Sequence, residues 1–432
     1  MILHSSFDIG PSGHLTIDGV DAVELAERFG TPTIVISENK IREMCRMYRR
    51  AFTEHFGKAS APVYAGKALC FKKLYSIMAE EGMLADCVSS GELATAYASG
   101  YPMENIFFHG NNKTDADLEY ALKLGVGHIV VDGVDELLAL DDIAERAEKT
   151  QRILLRITPG IDPHTHKKVV TGNVDSKFGS AIVTGDAERI VRLALTLENV
   201  ELCGFHCHVG SQLFDIDTFR DAADIMLRFI RDMRDATGFT APILNLGGGF
   251  GVRYTEDDPE IDYAENVRLL ADEVKTMCRE LGLDLPDIHM EPGRSVVAAA
   301  GATLYTCGSV KEIEGFRNYV SVDGGMTDNP RYTLYQSRYT VINASRAGEK
   351  ADFECTLAGR CCESGDLLAE DIKISEPERG DIIAVLVTGA YNYSMASNYN
   401  RIPRPAVVMI KDGEPYVAVR RETFEDVISL DC

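Results

Sequence analysis

The chain has 432 residues, is 45% hydrophobic and carries a formal net charge of -23. Such a length buries a sizeable core in two or three domains, and the acidic balance argues against nucleic acid or an anionic membrane surface as partner. The eleven cysteines are scattered, odd in number and lack paired CxxC spacing, which fits a reduced cytoplasmic compartment better than a disulfide framework. Met1 to Gly10 has no basic stretch leading into an apolar core, so no signal peptide is expected. No apolar run approaches the ~20 residues of a membrane span.

Residues up to about Pro32 are broken by Gly10, Gly13, Gly19 and Gly30. Thr33 to Ser37 is a β-branched run that predicts a strand. Asn39 to His55 follows with helical spacing, placing Ile41, Met44, Cys45, Tyr48 and Phe52 on one face. From Val63 to Arg294 the same phrase then recurs eight times: a short apolar run, a knot of polar or glycine residues, and a helical stretch. The runs predict strands near Val63–Ala65, Leu84–Cys87, Ile106–Phe108, Ile129–Asp132, Ile153–Ile157, Leu202–His208, Ile243–Leu246 and Ile288–Glu291. The connection from Pro159 to Thr184 is unusually long, and a loop of that size in a compact barrel is usually functional. It holds His164, His166 and Lys177-Phe178-Gly179.

Eight strand-then-helix units predict an α/β fold, a closed parallel (β/α)8 TIM-type barrel whose chemistry sits on the loops after the strands. After about Gly301 the texture changes to short β-rich runs separated by Gly, Asp and Pro, which predicts a C-terminal all-β domain. The strand at Thr33–Ser37 has no place among the eight, so the N-terminal segment is expected to join that domain. The expected division is 36–302 for the barrel, with 1–35 and 303–432 forming the β domain.

The predicted strand ends carry the candidate chemistry. Asn245-Leu246-Gly247-Gly248-Gly249 runs a strand into successive glycines, which let backbone N–H groups approach a phosphate; the plain alternative is a tight turn. The spacing does not fit a dinucleotide fingerprint. Lys67 ends the first strand, where a poorly hydrated amine becomes available for a Schiff base; a surface lysine is the default alternative. Glu291 precedes Pro292-Gly293-Arg294, and a carboxylate against a pyridine nitrogen keeps that nitrogen protonated, whereas a rim salt bridge is the plain reading. His206 and His208 lie two apart on a strand and so share a face. Zinc would need further ligands such as His164 or His166, and an imidazole stacked on an aromatic cofactor uses the same position without a metal. Gly359 to Asp366 is a polar loop in which Cys362, among acidic residues, suits proton donation better than thiolate attack. One lysine, a triple glycine, a strand histidine and a late glutamate together suit pyridoxal phosphate.

These residues resemble the diaminopimelate decarboxylases, within the alanine-racemase-like fold of pyridoxal phosphate enzymes. The resemblance runs from about Thr33 to Ala406. It rests on Tyr64-Ala65-x-Lys67-Ala68, Asp86 to Glu92, Gly204 to Gln212, the triple glycine, Glu291-Pro-Gly-Arg294, Asp323-Gly-Gly-Met326, Cys362-Glu-Ser-Gly-Asp366 and Gly389-Ala-Tyr391, in family order. It implies that Lys67 holds the cofactor as a Schiff base and that His208 stacks on its ring. Asp86, Ser211, Gly247, Gly248, Gly249, Arg294 and Tyr391 would join the cofactor contacts, and Glu291 would pair with the pyridinium. Arg294, Arg331 and Tyr335, with Tyr391 beside them, would bind the carboxylate at the far end of the substrate. Glu363 and Ser364, from a partner subunit, would recognise the far amine, and Cys362, also from the partner, would donate a proton after carbon dioxide leaves. The implied enzyme is a cytoplasmic homodimer with shared active sites, metal-free, that converts meso-2,6-diaminopimelate to L-lysine. Rival readings are a same-fold decarboxylase of D-ornithine, D-lysine or carboxynorspermidine, an amino-acid racemase, or a catalytically silent regulatory homologue.

Overall fold

The computed structural model describes residues 4–160 and 175–432. They form two compact units. One comprises residues 44–251 and 261–293, and the other residues 1–43, 252–260 and 294–432.

The first unit is a closed barrel of eight parallel strands: β1 (Ala61–Ala65), β2 (Leu84–Cys87), β3 (Ile106–Phe108), β4 (His128–Val131), β5 (Gln151–Thr158), β6 (Val200–His206), β7 (Ile243–Asn245) and β8 (Asp287–Met290). Each strand pairs with the next, and β8 returns to β1 through His289–Ala61 and Met290–Pro62. A helix follows each of the first seven strands: Lys72–Glu80, Ser90–Ala98, Asp115–Leu124, Val134–Arg146, Asp186–Ala194, Asp217–Thr237 and Tyr263–Leu281. Their starts are written locally. Ser89 accepts from the Glu92 N–H, Thr114 and Asp117 form a reciprocal capping box, and Asp262 accepts from the Glu265 N–H, each satisfying donors that a helix start leaves open. The long connection after β5 returns as a short strand, Ser180–Ala181, laid along β5; His164 and His166 lie outside the described residues.

The barrel is filled, not hollow. Val63, Phe107, Val130, Leu154 and Cys203, from five different strands, form one buried cluster, with Leu84 and Ile243 packed against it. Phe107 is stacked on His128 with ring centroids 4.8 Å apart, and its ring lies 5.4 Å from that of His289. His289 Nδ1 in turn sits 2.9 Å from the Ala61 carbonyl, across the closing seam. Burial pushes the His128 imidazole down to about 4, so this end of the barrel is packed with neutral rings.

The second unit is β-rich. Thr33–Ser37, buried at every residue, pairs antiparallel with Gly301–Glu312 and parallel with Ala406–Lys411. The N-terminal strand therefore completes the sheet of the C-terminal region, in the order 367–374, 353–358, 318–322, 301–312, 33–37, 406–411, 414–419. This ladder runs across the divisions at residues 36 and 302 expected from the sequence: Ile36 faces Gly301 as a register pair, so both belong to one sheet. Residues 252–260 also group with this unit; an inserted return is invisible to a reading that places boundaries by texture. Among the described residues, no helix is long and apolar enough to cross a membrane.

Phe107 fills the barrel from β3 with a ring that is 2% exposed. Phe107→Ala should lower the unfolding free energy by about 3–5 kcal/mol, the usual cost of deleting a buried aromatic ring, and Phe107→Leu by clearly less. Denaturant titration checks this. A loss within about 0.5 kcal/mol, typical of a surface position, would mean that the ring is not a structural filler.

Candidate active site

At the C-terminal mouth of the barrel, a cavity of about 310 Å³ is lined by Lys67, Asp86, His109, Arg156, Phe178, His206, His208 and Glu291, together with Val88, Gly110 and Asn111. Most of these groups stand at strand ends or one or two residues beyond them, where a parallel barrel presents side chains to its loops.

Glu291 is the centre of this arrangement. Its carboxylate is 6% exposed and is met from three other strands. His109 Nε2, just after β3, lies 2.9 Å from Oε1, and Asn245 Nδ2, at the end of β7, donates to the same oxygen at 2.8 Å. His206 Nε2, at the end of β6, lies 3.3 Å from Oε2. Burial works against the carboxylate's charge, but the histidines beside it hold its pKa well below the usual range. Burial pushes His206 down to about 4 and lowers His109 too, so both imidazoles are neutral near pH 7. The buried Nδ1 of His206 has no hydrogen-bond partner, which assigns its proton to Nε2, facing the carboxylate. His109, His206 and Glu291 offer ligand atoms within 4.8 Å of one another. This grouping differs from the His206–His208 pair with His164 or His166 considered from the sequence.

Lys67 sits in the turn Gly66–Ala68 that follows β1. Its side chain is exposed, unlike the poorly hydrated amine expected from its place in the barrel mouth. The turn is fixed by Asp86, whose Oδ1 accepts the Gly66 N–H at 2.8 Å. Burial and the Glu291 carboxylate raise Asp86 to about 7, against the opposing pull of Lys67. Glu92, which accepts the Val88 N–H at 2.7 Å, also rises to about 7, through burial and then Asp86. Two carboxyls able to hold a proton near neutrality therefore flank the lysine turn, while Glu291 stays ionised.

The loop after β7 fits a phosphate group. A Cβ on Gly248 would run into the Glu291 carbonyl oxygen, and one on Gly249, at φ 137°, would lie 2.6 Å from the Gly210 carbonyl oxygen. Only glycine lets this chain lie flat against its neighbours and bring its amides close to an anion. The loop after β6 is laced to it: Leu213 N–H donates to Gly249 O at 2.9 Å, and Gly251 N–H to Leu213 O at 2.7 Å. Ser211 lies on that second loop, beyond His208, whose imidazole burial keeps neutral. For a pyridine ring the donor set also fits. Glu291 Oε2 receives a single donor among the described residues and keeps a lone pair for one N–H more. Arg156, 4.2 Å from the Phe178 ring centroid and 3.9 Å from the Asp132 carboxylate, adds positive charge to the wall.

The remaining expected residues belong to the β-rich unit and gather in two places. Arg294 and Arg331 flank Tyr391, with guanidinium carbons 4.7 Å and 5.4 Å from its ring centroid. Arg294 Nη1 donates to Tyr254 OH at 2.6 Å, and Arg331 lies 5.2 Å from the Tyr335 ring. Arg331 is 9% exposed and makes no ion pair among the described residues. Its Nη2 reaches Ser337 Oγ at 3.3 Å, and its buried Nε has no acceptor. The second place is the loop 359–366. Asp366, 3% exposed, anchors it by accepting the N–H groups of Cys361 at 2.7 Å and Met326 at 2.6 Å. Cys362, Glu363 and Ser364 stand exposed at its tip.

Sequence reading passed over His109, Asn245 and Arg156 as site residues, and Tyr254 and Tyr339 beside Arg294. A signal existed for the first three: each ends or adjoins a predicted barrel strand. Tyr254 had none, because the segment that carries it is a return into another unit.

The comparisons agree with this geometry. A family model described as "Pyridoxal-dependent decarboxylase, pyridoxal binding domain" matches residues 38–298. The diaminopimelate decarboxylase of Bacillus subtilis (strain 168) is 47% identical over 431 residues, covering 100% of this chain and 98% of the relative. That of Staphylococcus aureus (strain COL) is 41% identical, covering 97% and 98%. A crystal structure of the M. jannaschii diaminopimelate decarboxylase in co-complex with L-lysine superposes with a TM-score of 0.91 at 34% identity, covering 100% of this chain and 99% of that one. Full-length likeness at these identities, over a barrel whose strand ends carry the lysine, the glycine loop and the clamped glutamate, places the chain in the diaminopimelate decarboxylase family of pyridoxal phosphate-dependent decarboxylases.

Proposed function

We propose that this chain decarboxylates meso-2,6-diaminopimelate to L-lysine and carbon dioxide. The observation that carries the reading is an ionised, fully clamped glutamate facing the same cavity as Lys67, in a chain whose full-length relatives bear that enzyme's name. Pyridoxal phosphate, when bound, supplies an electron sink for the pair left behind by the departing carboxylate.

The chain's own residues do the rest. Lys67 Nζ would hold the cofactor and be released when the substrate amine binds. Glu291 would keep the ring nitrogen protonated through its open lone pair, and His208, kept neutral by burial, would lie against the ring. Gly247, Gly248, Gly249 and Ser211 would hold the phosphate end, Tyr391 and Arg294 are the further cofactor contacts in this reading, and Asp86 fixes the turn that carries Lys67. Arg331, Arg294 and Tyr335 take the far carboxylate; a buried guanidinium with an open Nε calls for a planar anion that it can grip at two points. Glu363 and Ser364 take the far amine, and the Cys362 thiol donates the proton that completes the product. Those three residues stand exposed at a loop tip, which suits delivery to a second copy of the chain, so the working form is a homodimer with shared sites. All eleven cysteines are free thiols, in keeping with a cytoplasmic setting.

Three measurements test this reading. The purified protein should absorb at roughly 410–430 nm, a band set by the cofactor and tuned by the protein, and borohydride should fix the label on Lys67; a labelled peptide from another lysine overturns the assignment. Inactive Lys67→Ala and Cys362→Ala proteins, mixed and allowed to exchange subunits, should recover partial activity, and no recovery after demonstrated exchange rules out shared sites. Finally, meso-diaminopimelate should be preferred over lysine, ornithine and arginine by at least ~100-fold in kcat/KM, as expected where buried polar groups go unmatched by the wrong substrate. Arg331→Ala should shrink that preference far more than it slows the residual reaction with lysine. Equal turnover of D-lysine or D-ornithine would instead favour a decarboxylase of simple basic amino acids.

A further inference from the structure

Lys113 is a buried cation that the reaction does not call upon. Its side chain is 2% exposed, and the ammonium has three partners. Nζ lies 2.8 Å from the Gly110 carbonyl oxygen, 2.8 Å from the Val130 carbonyl oxygen and 2.8 Å from Glu136 Oε1. Two carbonyl acceptors and one ion-pair partner thus surround the ammonium. These partners come from three places: the loop after β3, the strand β4, and the helix Val134–Arg146 that follows β4. Taking two charges out of water costs more than a pair normally returns, so stability alone is a weak reason for this pair to be buried here.

Its position supplies a reason. Gly110 follows His109 directly, and the His109 N–H is itself held by the Cys87 carbonyl at 2.8 Å. Gly110 adopts φ 135°, so the chain turns sharply between the imidazole and the loop that Lys113 grips. On the far side, Thr114 caps the helix Asp115–Leu124 in a reciprocal box with Asp117. The tetrad from His109 to Asn112 is therefore fixed at both ends, with Lys113 bridging its middle to β4 and the next helix. His109 Nε2 in turn lies 2.9 Å from Glu291 Oε1.

We propose that the Lys113–Glu136 pair is a positioning device: it holds the loop 109–112 so that the His109 imidazole stays on Glu291, and it acts on the cofactor site only through that contact. The link to the cofactor rests on the reading of Glu291 given above; the link to His109 does not.

The test separates the two. The full-length protein is labelled with 15N-histidine and examined by NMR both as purified and after cofactor removal, with His109→Ala identifying the signal. Lys113→Met/Glu136→Leu removes both charges at once, avoiding a lone buried carboxylate. It is expected to fold by circular dichroism, to shift the His109 ring-nitrogen signal away from that of the hydrogen-bonded Nε2–H tautomer, and to weaken pyridoxal phosphate binding about 10-fold, the scale on which supporting residues of a site act. Adding His109→Ala to it should weaken binding no further. Glu136→Gln, which keeps an acceptor for Lys113 and the shape of the side chain, should leave the His109 signal in place even if melting temperature falls. An unmoved His109 signal in the double variant, or in Lys113→Met alone should the double variant fail to fold, overturns the proposal. A moved His109 signal with unchanged cofactor affinity upholds the positioning role and overturns instead the pairing of Glu291 with the cofactor.

Discussion

A single buried carboxylate organises the mouth of this barrel. Isolated, an ionised glutamate out of water costs several kcal/mol, and Glu291 sits at the end of β8 with almost no exposure. It is tolerated because Asn245 on β7, His206 on β6 and His109 after β3 converge on it. Those donors come from neighbouring strands and from across the mouth, so they meet only when the eight strands close. Closure of the barrel therefore brings together the partners that let Glu291 stay ionised in its buried position.

The same clamp divides labour among the acids. Asp86 and Glu92 stand in the same neighbourhood, but each receives one backbone N–H and both rise to about 7. Glu291 has two hydrogen-bond partners, Asn245 and His206, with His109 Nε2 close by at 2.9 Å, and stays ionised. Unequal hydrogen bonding thus separates a permanent anion from two carboxyls able to exchange a proton at neutral pH, the pattern by which one site runs both roles. The histidines contribute as neutral donors; were they charged, burial would cost more than the carboxylate could return.

The β-rich unit obeys the same rule with opposite sign. Arg294 and Arg331 are buried cations beside the ring of Tyr391, the first donating to the Tyr254 hydroxyl and the second to the Ser337 hydroxyl. Aromatic rings temper a guanidinium without neutralising it, which keeps the charge available. In the loop 359–366, by contrast, a buried aspartate accepts the N–H groups of Cys361 and Met326, while the side chains of Cys362, Glu363 and Ser364 stand exposed at the tip.

Much of this was legible in the residues. The strand ends, the glycine run after Asn245, Lys67 and Glu291 could be placed because alternation of short apolar runs with helical spacing is a local property. That the N-terminal segment joins the β domain could be expected only by elimination, and its pairing with Gly301–Glu312 not at all, because strand pairing joins segments far apart in the chain. Nothing local marks residues 252–260 as part of the β-rich unit, or Lys113 as a buried tripod rather than a surface lysine, since burial is decided by what packs around a side chain. The exposure of Lys67 went against expectation for the same reason. By itself, then, the sequence determined the barrel, its order of strands and the chemical kind of each strand-end residue, because these follow from periodicity and residue type. Which of the acids is charged, which histidine touches it and what holds that histidine in place were decided by the tertiary structure alone, since ionisation depends on donors that only chain closure brings within 3 Å or so of an acceptor.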